Sequence, residues 1–241
     1  MIIKQILAKQ ITFIRWVSFG SYGMALGILA AAVIKIALGL LFGYLLHLDS
    51  PIWEMVPFII SGFTLGAFLG AFQSRTLKHE FAHPLLWTLI SSIGFAIGVP
   101  CVAYLYIKNI LPETFFSGLG MGAIIGLALG FAQWLVIRTR ADRSGLWVLG
   151  NVIGGVFSAG IAYILLILYD IAFPTQYFPT PPGIANMILD IVTGILNLVF
   201  IFLLSPLAIG FFYNVSIGIM IKRHLDICVP ESQKAGNKAC T

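Results

Sequence analysis

The sequence contains one pattern that is typical of a catalytic zinc site. His79, Glu80 and His83 form the motif HExxH, whose histidines share a helix face and bind zinc while the glutamate acts as a general base. Pro84 follows directly, and the residue before a proline avoids helical geometry. A catalytic zinc also needs a third protein ligand, and the sequence offers no companion carboxylate motif. His79 and His83 are therefore weak metal candidates, a metalloprotease is a remote alternative, and we expect no cofactor and no enzymatic activity.

Two ionisable residues lie inside apolar segments, where charge is costly and often marks a transport pathway. Lys35 falls near the middle of the first segment, and Asp190 falls near the outer start of the last one. These opposite charges could pair if the two helices touch, and Asn151 and Asn197 could extend such a polar cluster. Alternatively, the Lys35 side chain extends to the membrane surface, and Asp190 lies at the interface because its segment is overlong. A transport role, a structural ion pair and this interfacial placement all stay open.

A third group of polar residues belongs to an internal repeat with a spacing of 60 residues. Each of the following residues has an identical residue 60 positions later: Gly62, Gly66, Leu69, Gly70, Gln73, Leu86, Trp87, Leu89, Ile93 and Gly94. Each copy predicts a helical hairpin, in which one helix ends in glutamine, a basic loop follows, and a tryptophan opens the returning helix. Both copies have the same orientation, as in the parallel repeats of some transporters. The tryptophans, Trp87 and Trp147, are expected in the aromatic belt at the membrane interface.

The repeated glycines and glutamines have structural explanations. Gly62, Gly66 and Gly70 fall on one helix face, and such faces let helix backbones approach closely in lipid. Packing is therefore the expected role of these faces, and a groove for a flat apolar ligand is the alternative. Gln73 and Gln133 need hydrogen-bond partners inside a membrane, so we expect each to bond to its returning helix rather than to a solute.

The repeat also resembles a pattern in known sequences. The second copy reads GxxxGxxQWxxxR over residues 126–138, and a tryptophan follows at position 147. This pattern resembles uncharacterised bacterial membrane proteins, many of them cyanobacterial. The resemblance covers residues 62–98 and 122–160, although the first copy has serine and lysine where tryptophan and arginine would stand. It implies a bacterial membrane protein and transfers no functional site.

Composition and charge indicate the elements that must position these residues. Of the 241 residues, 59% are hydrophobic and 10% are charged, against about 25% charged in a typical soluble domain, and the mean hydropathy is +1.00. These values exclude a soluble enzyme and a disordered chain, and they predict an integral membrane protein. Six apolar segments can be assigned, at residues 24–46, 57–73, 84–107, 115–137, 144–169 and 184–221. Of the 14 Lys and Arg residues, 12 fall on one side of this arrangement, which predicts six spans with both termini cytoplasmic.

Three parts of the chain are predicted. They are a basic amphipathic surface helix, a six-helix transmembrane domain with two repeat units, and a cytoplasmic tail: residues 1–16, 17–222 (repeat units at about 57–107 and 115–169) and 223–241. In the first part, apolar residues recur at helical spacing while basic residues fall elsewhere, although an ordinary flanking segment is the alternative. The segment 184–221 is too long for one upright span, and Pro206 is expected to kink or break its helix.

These observations predict an all-α polytopic membrane protein with six transmembrane helices, including a parallel duplicated helical hairpin. The expected location is a bacterial inner or thylakoid membrane, with the lipid bilayer as a partner and no nucleic acid. The expected function is a non-enzymatic scaffold or accessory subunit that packs, and contacts other membrane proteins, through glycine-rich helix faces. The alternative is a small transporter or channel that uses the region of Lys35 and Asp190.

Overall fold

The structure is a computed structural model that describes residues 2–45, 51–76, 83–111, 114–138, 144–172 and 205–224. These residues form six α-helices, one π-helical segment and no β-strand. The helices are α1 (Ile2–Gly39, continued by the π-helical segment Leu40–Leu45), α2 (Pro51–Thr76), α3 (Pro84–Ile107), α4 (Phe115–Ile137), α5 (Gly145–Ala172) and α6 (Ser205–His224). The prediction of an all-α protein is confirmed.

Five helices in the described ranges are long and apolar enough to cross a membrane. Their spanning portions are Phe13–Phe42, Trp53–Thr76, Pro84–Ile107, Phe115–Ile137 and Gly145–Leu168. The apolar part of α6, Pro206–Ile219, is shorter than a full span. The predicted sixth segment begins at residue 184, and residues 184–204 lie outside the described ranges. A helical chain with several helices able to span a membrane is therefore confirmed, whereas the count of six spans stays a prediction.

The helix boundaries follow local sequence signals. Helix α3 begins at Pro84, whose fixed φ and missing N–H suit the first position of a helix. Thr114 caps α4, because its Oγ1 accepts a hydrogen bond from the backbone N–H of Ser117 at 3.2 Å. Pro57 and Pro100 lie inside α2 and α3 without ending them, as membrane helices tolerate when neighbouring groups satisfy the freed carbonyls.

The six helices pack as a closed ring in chain order. Each helix contacts the helices before and after it, and α6 returns to contact α1. Gly210 of α6 faces Met24 of α1, whereas Gly218 of α6 faces Phe13 of α1, so these two helices run antiparallel. The last turns of α2, α4 and α6 therefore lie at the same end of the ring as the first turns of α3 and α5.

Glycines bring the backbones of α2 and α4 against those of α3 and α5. A Cβ atom at Gly66 would overlap the carbonyl oxygen of Ser91, and a Cβ atom at Gly126 would overlap the carbonyl oxygen of Asn151. Both residues of the second contact follow those of the first by 60 positions. The same kind of approach, with the same offset, occurs at Gly62, Gly70, Gly122 and Gly130. These faces are filled by the chain's own helices, so the packing explanation is confirmed.

The predicted division at residue 16 is not marked by a break in the helix. Helix α1 continues from Ile2 to Gly39, through the proposed boundary between the surface helix and the first span. Side chains are described only from Phe13 onward in this helix. The surface location of residues 1–16 stays a prediction, and residues 225–241 of the predicted tail lie outside the described ranges.

Candidate functional site

A cluster of buried amides and indoles links all six helices at one end of the ring. Its members, called here the amide–indole cluster, are Trp16, Gln73, Trp87, Ser91, Gln133, Trp147, Asn151, Tyr213 and Asn214. Each of these residues is almost completely buried, with at most 3% of its surface exposed. Polar side chains inside an apolar bundle are costly unless they bond to one another, so the bonds of this cluster decide what it does.

Gln133 makes three side-chain hydrogen bonds within the cluster. Its Nε2 donates to Ser91 Oγ at 2.9 Å and to Gln73 Oε1 at 3.4 Å. Its Oε1 accepts a hydrogen bond from the indole Nε1 of Trp147 at 2.9 Å. One side chain on α4 therefore connects α2, α3 and α5, and it spans the ring rather than one helix pair.

Gln73 holds the same position in the first hairpin and continues the cluster to α6. Its Oε1 accepts from the indole Nε1 of Trp87 at 3.3 Å, besides the bond from Gln133. Its Nε2 donates to Asn214 Oδ1 at 3.1 Å. Gln73 and Gln133 thus bond to their returning helices, as expected from the sequence, and they also bond to each other.

Two residues of α6 complete the connections. Asn214 donates from Nδ2 to the carbonyl oxygen of Gly210 at 2.7 Å, which leaves its Oδ1 for Gln73. The hydroxyl of Tyr213 donates to Asn151 Oδ1, and Asn151 Nδ2 in turn donates to the carbonyl oxygen of Trp147 at 2.9 Å. Helix α6 is therefore held to the rest of the ring by polar contacts with both α2 and α5.

Three indoles pack together beside the amides. The ring of Trp147 meets those of Trp87 and Trp16 edge to face, with centroid distances of 5.4 and 5.9 Å. The prediction that Trp87 and Trp147 belong to an interfacial aromatic belt is therefore wrong, because both rings are buried inside the bundle. Among the described residues no acceptor lies within hydrogen-bond distance of the buried Trp16 Nε1.

The chemistry of the cluster favours a structural role. Its members are amides, indoles and hydroxyls, none of which is a charged acid–base pair or a metal-ligating set. Most of its donors and acceptors are bound to other members or to the backbone, so few remain for a solute. Such a cluster fixes the register of α2 to α6, because a shift of any of these helices would leave buried polar groups without partners.

Basic side chains surround this end of the ring. Arg15, Arg75 and Arg138 are exposed and lie within a few residues of Trp16, Gln73 and Gln133 along the chain. The guanidinium of Arg75 lies 5.1 Å from the ring centroid of Phe72, and that of Arg138 lies 5.6 Å from that of Trp134. This is the end that the charge distribution assigns to the cytoplasm.

Lys35 lies far from the cluster. It is exposed on α1, and its Nζ lies 4.5 Å above the ring of Phe58 on α2. Lys35 follows Trp16 by 19 residues, or roughly 28 Å along a helix, which is nearly the thickness of a bilayer core. It therefore lies toward the opposite end of α1 rather than near its middle.

Only Lys35 and Asn151 of the predicted polar group lie in the described residues. Asn151 belongs to the amide–indole cluster and contacts Tyr213, so it is separated from Lys35 along the ring axis by roughly 20 Å. Asp190 and Asn197 lie outside the described residues. Lys35 and Asn151 are not brought together, and the pairing of Lys35 with Asp190 stays a prediction.

The HExxH motif lies before α3. His83 is exposed, has a non-helical backbone (φ −135°, ψ 79°), and precedes the first helical residue, Pro84. His79 and Glu80 lie outside the described residues. Among the described residues, no group of three His, Cys, Asp or Glu side chains could hold a metal ion. The non-helical His83 does not fit a motif whose histidines must share a helix face.

Four members of the cluster were not singled out from the sequence: Trp16, Ser91, Tyr213 and Asn214. Ser91 and Tyr213 carry no sequence signal that separates them from other residues of apolar helices. Trp16 does carry one, because small residues follow it at the same spacing at which small residues follow Trp87 in α3. Comparison with protein-family models, with curated proteins and with solved structures found no match to this chain.

Proposed function

We propose that the protein is a non-enzymatic scaffold or accessory subunit of a bacterial inner or thylakoid membrane. It has six spans, with residues 1–16 and 223–241 on the cytoplasmic side, and a parallel duplicated hairpin. The observation that carries this proposal is the amide–indole cluster. Its buried polar side chains bond to one another and hold the bundle, so they offer no set of free groups for catalysis or for a solute.

The six-span topology is supported by the direction of α6. Because α6 runs antiparallel to α1, its last turn lies at the same end as Arg75 and Arg138. Its first residue, Ser205, lies partway along the bundle, opposite the middle of α5, where Ser158 Oγ donates to the Ile209 carbonyl oxygen at 3.1 Å. The position of Ser205 partway along the bundle supports the proposal that α6 is the inner part of a sixth span.

The duplication is supported by matched contacts. Trp87 pairs with Gln73 and Trp147 pairs with Gln133, and both pairs are separated by 14 residues. The close contacts that glycines of α2 make with α3 recur 60 residues later between α4 and α5. Two hairpins that share both an identity pattern and its contacts are more simply explained by duplication than by two independent origins.

A partner protein would have to dock on the outer surface of the ring. The glycine faces, which were expected to contact partners, are filled by α3 and α5, although Gly118 has open space around it. Large aromatic side chains point outward from α4 and α5, with Phe116 80% exposed and Phe131 and Phe157 more than half exposed. Aromatic side chains supply much of the contact energy in protein interfaces, although lipid can cover the same surface.

Photo-crosslinking in the native membrane tests this proposal. A photoreactive phenylalanine analogue is placed at Phe131 or Phe157, and at Phe95 as a buried control that is 1% exposed. A scaffold predicts one reproducible protein adduct from at least one outward position and none from position 95. Adducts with lipid alone, from every outward position, would contradict the scaffold role.

The alternative function is a small transporter or channel. It needs a polar route through the ring, and the polar side chains at mid-depth in the described ranges are bonded to backbone carbonyls: Ser61 to Ala31 at 3.0 Å and Ser158 to Ile209. Lys35 lies away from these groups, on the exposed side of α1. The accessibility of these positions to water separates the two functions.

A further inference from the structure

We infer that α6 and α1 together form a third copy of the hairpin unit. In it, α6 corresponds to α2 and α4, and α1 corresponds to α3 and α5. In this copy, Trp16 takes the place of Trp87 and Trp147, and Ile217 stands at the position of Gln73 and Gln133. The inference rests on the proposed duplication of the two hairpins, and it makes the ring threefold pseudo-symmetric.

The first support is a shared pattern in the helices that begin with tryptophan. Helix α1 contains W-x4-S-x-G-x-A-x-G from Trp16 to Gly27, and α3 contains the same pattern from Trp87 to Gly98. Helix α5 keeps the tryptophan and the first glycine at the same spacing, at Trp147 and Gly154. The three helices are thus related at the positions that face neighbouring helices.

The second support is that the matched glycines meet matched residues. A Cβ atom at Gly27 would lie 2.8 Å from Leu65 Cδ1, and one at Gly98 would lie 3.1 Å from the Cα atom of Ile125, which follows Leu65 by 60 residues. In α5, Ser158 stands at the position equivalent to Gly27 and Gly98, and it bonds to the backbone of α6. Each tryptophan helix therefore packs on the next helix of the ring in the same register.

The same equivalence holds one turn closer to the cluster. A Cβ atom at Gly23 would lie 3.1 Å from the Phe68 carbonyl oxygen, and one at Gly94 would lie 3.3 Å from the Ala128 carbonyl oxygen. Phe68 and Ala128 are again 60 residues apart. In α5, Gly154 approaches the backbone of Tyr213, also at 3.1 Å.

The third support is the register between α6 and α1. A Cβ atom at Gly210 would lie 2.9 Å from the Ser21 carbonyl oxygen, as Cβ atoms at Gly66 and Gly126 would meet the carbonyl oxygens of Ser91 and Asn151. Gly66 and Gly126 lie seven residues before Gln73 and Gln133, and Gly210 lies seven residues before Ile217. The three indoles also pack as one group, since Trp147 contacts both of the others. Position 217 is therefore the counterpart of the two glutamines, and Asn214 lies about one turn before it.

The third copy differs from the others in its hydrogen bonding. Trp87 and Trp147 donate to the glutamine of the preceding helix, whereas the buried Trp16 Nε1 has no acceptor among the described residues. Ile217 is buried and apolar, so it offers no acceptor at the position where Gln73 and Gln133 accept from the other two indoles. The apolar side chain at position 217 accounts for the indole that is left without a partner.

Three matched substitutions test the state of the Trp16 indole. Trp16→Phe, Trp87→Phe and Trp147→Phe remove similar ring volume, so differences between them report the N–H group. We expect Trp87→Phe and Trp147→Phe to lower the Tm in detergent by roughly 2–6 °C more than Trp16→Phe does. An equal loss at all three positions would show that Trp16 has an acceptor and would contradict the difference in hydrogen bonding between the third copy and the other two.

Ile217→Gln tests whether position 217 is equivalent to the two glutamines. The introduced amide oxygen is expected to accept from the Trp16 indole, so Trp16→Phe should lower the Tm more in the Ile217→Gln protein than in the unchanged protein. The proposal is overturned if that extra loss is absent, or if Ile217→Gln does not fold. Unequal losses for Trp87→Phe and Trp147→Phe would instead count against the duplication itself, so the two ideas fail separately.

Discussion

The indole Nε1 of Trp147 donates to Oε1 of Gln133 at 2.9 Å, across the two helices of one hairpin. This bond joins the first turn of α5 to the last turn of α4, where the chain turns at the basic end of the ring. Both groups are buried, so neither can exchange this partner for water without the hairpin opening. The relationship holds the two helices of the second hairpin together at the basic end of the ring.

Replacement of Gln133 should destabilise the protein. Gln133→Leu removes the acceptor of Trp147 and the donor to Ser91, leaving buried polar groups unpaired. We expect a loss of about 1–3 kcal/mol in the free energy of unfolding, at the upper end of values for membrane hydrogen bonds because one side chain makes three bonds. Thermal unfolding in detergent measures this loss. Leu135→Ala, on the exposed side of α4, is the control, and an equal effect from both variants would contradict the structural role.

The close approach of α4 and α5 should not tolerate a methyl group. Gly126→Ala would place a Cβ atom against the Asn151 carbonyl oxygen, which is backbone and cannot rotate away. We expect a loss of roughly 1–3 kcal/mol or more, because the helices must separate along their length. Gly118→Ala is the matched control on the same helix, since a Cβ atom there meets nothing within 4 Å. If Gly126→Ala were as stable as Gly118→Ala, the packing of this helix pair would be wrong.

Lys35 should be accessible to water from the outer side of the membrane. Its position near the far end of the α1 span, and its exposed side chain, predict that Lys35→Cys reacts with a membrane-impermeant thiol reagent in intact cells. Mass shift of the labelled protein measures the reaction, in a background where Cys101, Cys228 and Cys240 are replaced. Leu69→Cys, at a fully buried position, should remain unlabelled. Protection of Lys35→Cys would place this residue at mid-depth and revive a role in transport.

The HExxH motif should not bind zinc in the folded protein. His83 lies outside α3 and its backbone is non-helical, which does not fit a motif whose histidines must share a helix face. Protein purified without chelators is expected to contain far less than one zinc per chain by elemental analysis. His83→Ala is expected to leave both zinc content and Tm unchanged. Stoichiometric zinc that disappears in His83→Ala would restore the metalloprotease alternative.

Much of the hairpin packing was predictable, because small and polar residues are rare enough in an apolar sequence to reveal their pattern. The 60-residue spacing of Gly66 and Gln73 with Gly126 and Gln133 predicted both the helix faces and the bonds to the returning helices. The burial of Trp87 was predicted wrongly. A tryptophan near a helix end suits the membrane interface as well as it suits the interior of the bundle. Here the glutamine across the hairpin, which accepts from the indole, holds the ring in the interior.

The contribution of α6 was harder to predict. Asn214 lies in an apolar helix with no neighbouring polar pattern, and its partner Gln73 precedes it by 141 residues. Side-chain identity alone does not reveal such a distant contact. The pattern shared by Trp16 and Trp87 was present in the sequence, but it links the first helix to the third and has no matching glutamine.

The central claim is that the polar side chains of this bundle hold helices together and do not line an aqueous route. Cysteine accessibility at Ser61 and Ser158 tests it most directly. Both are buried, and they lie about 16–18 Å along their helices from Gln73 and Trp147, near the middle of the bilayer core. In the cysteine-free background, Ser61→Cys and Ser158→Cys are treated with a small charged thiol reagent, with the exposed Arg138→Cys as the positive control. The account predicts labelling at position 138 and none at positions 61 and 158. Rapid labelling at either buried position, from either side of the membrane, would contradict it and favour a transporter or channel.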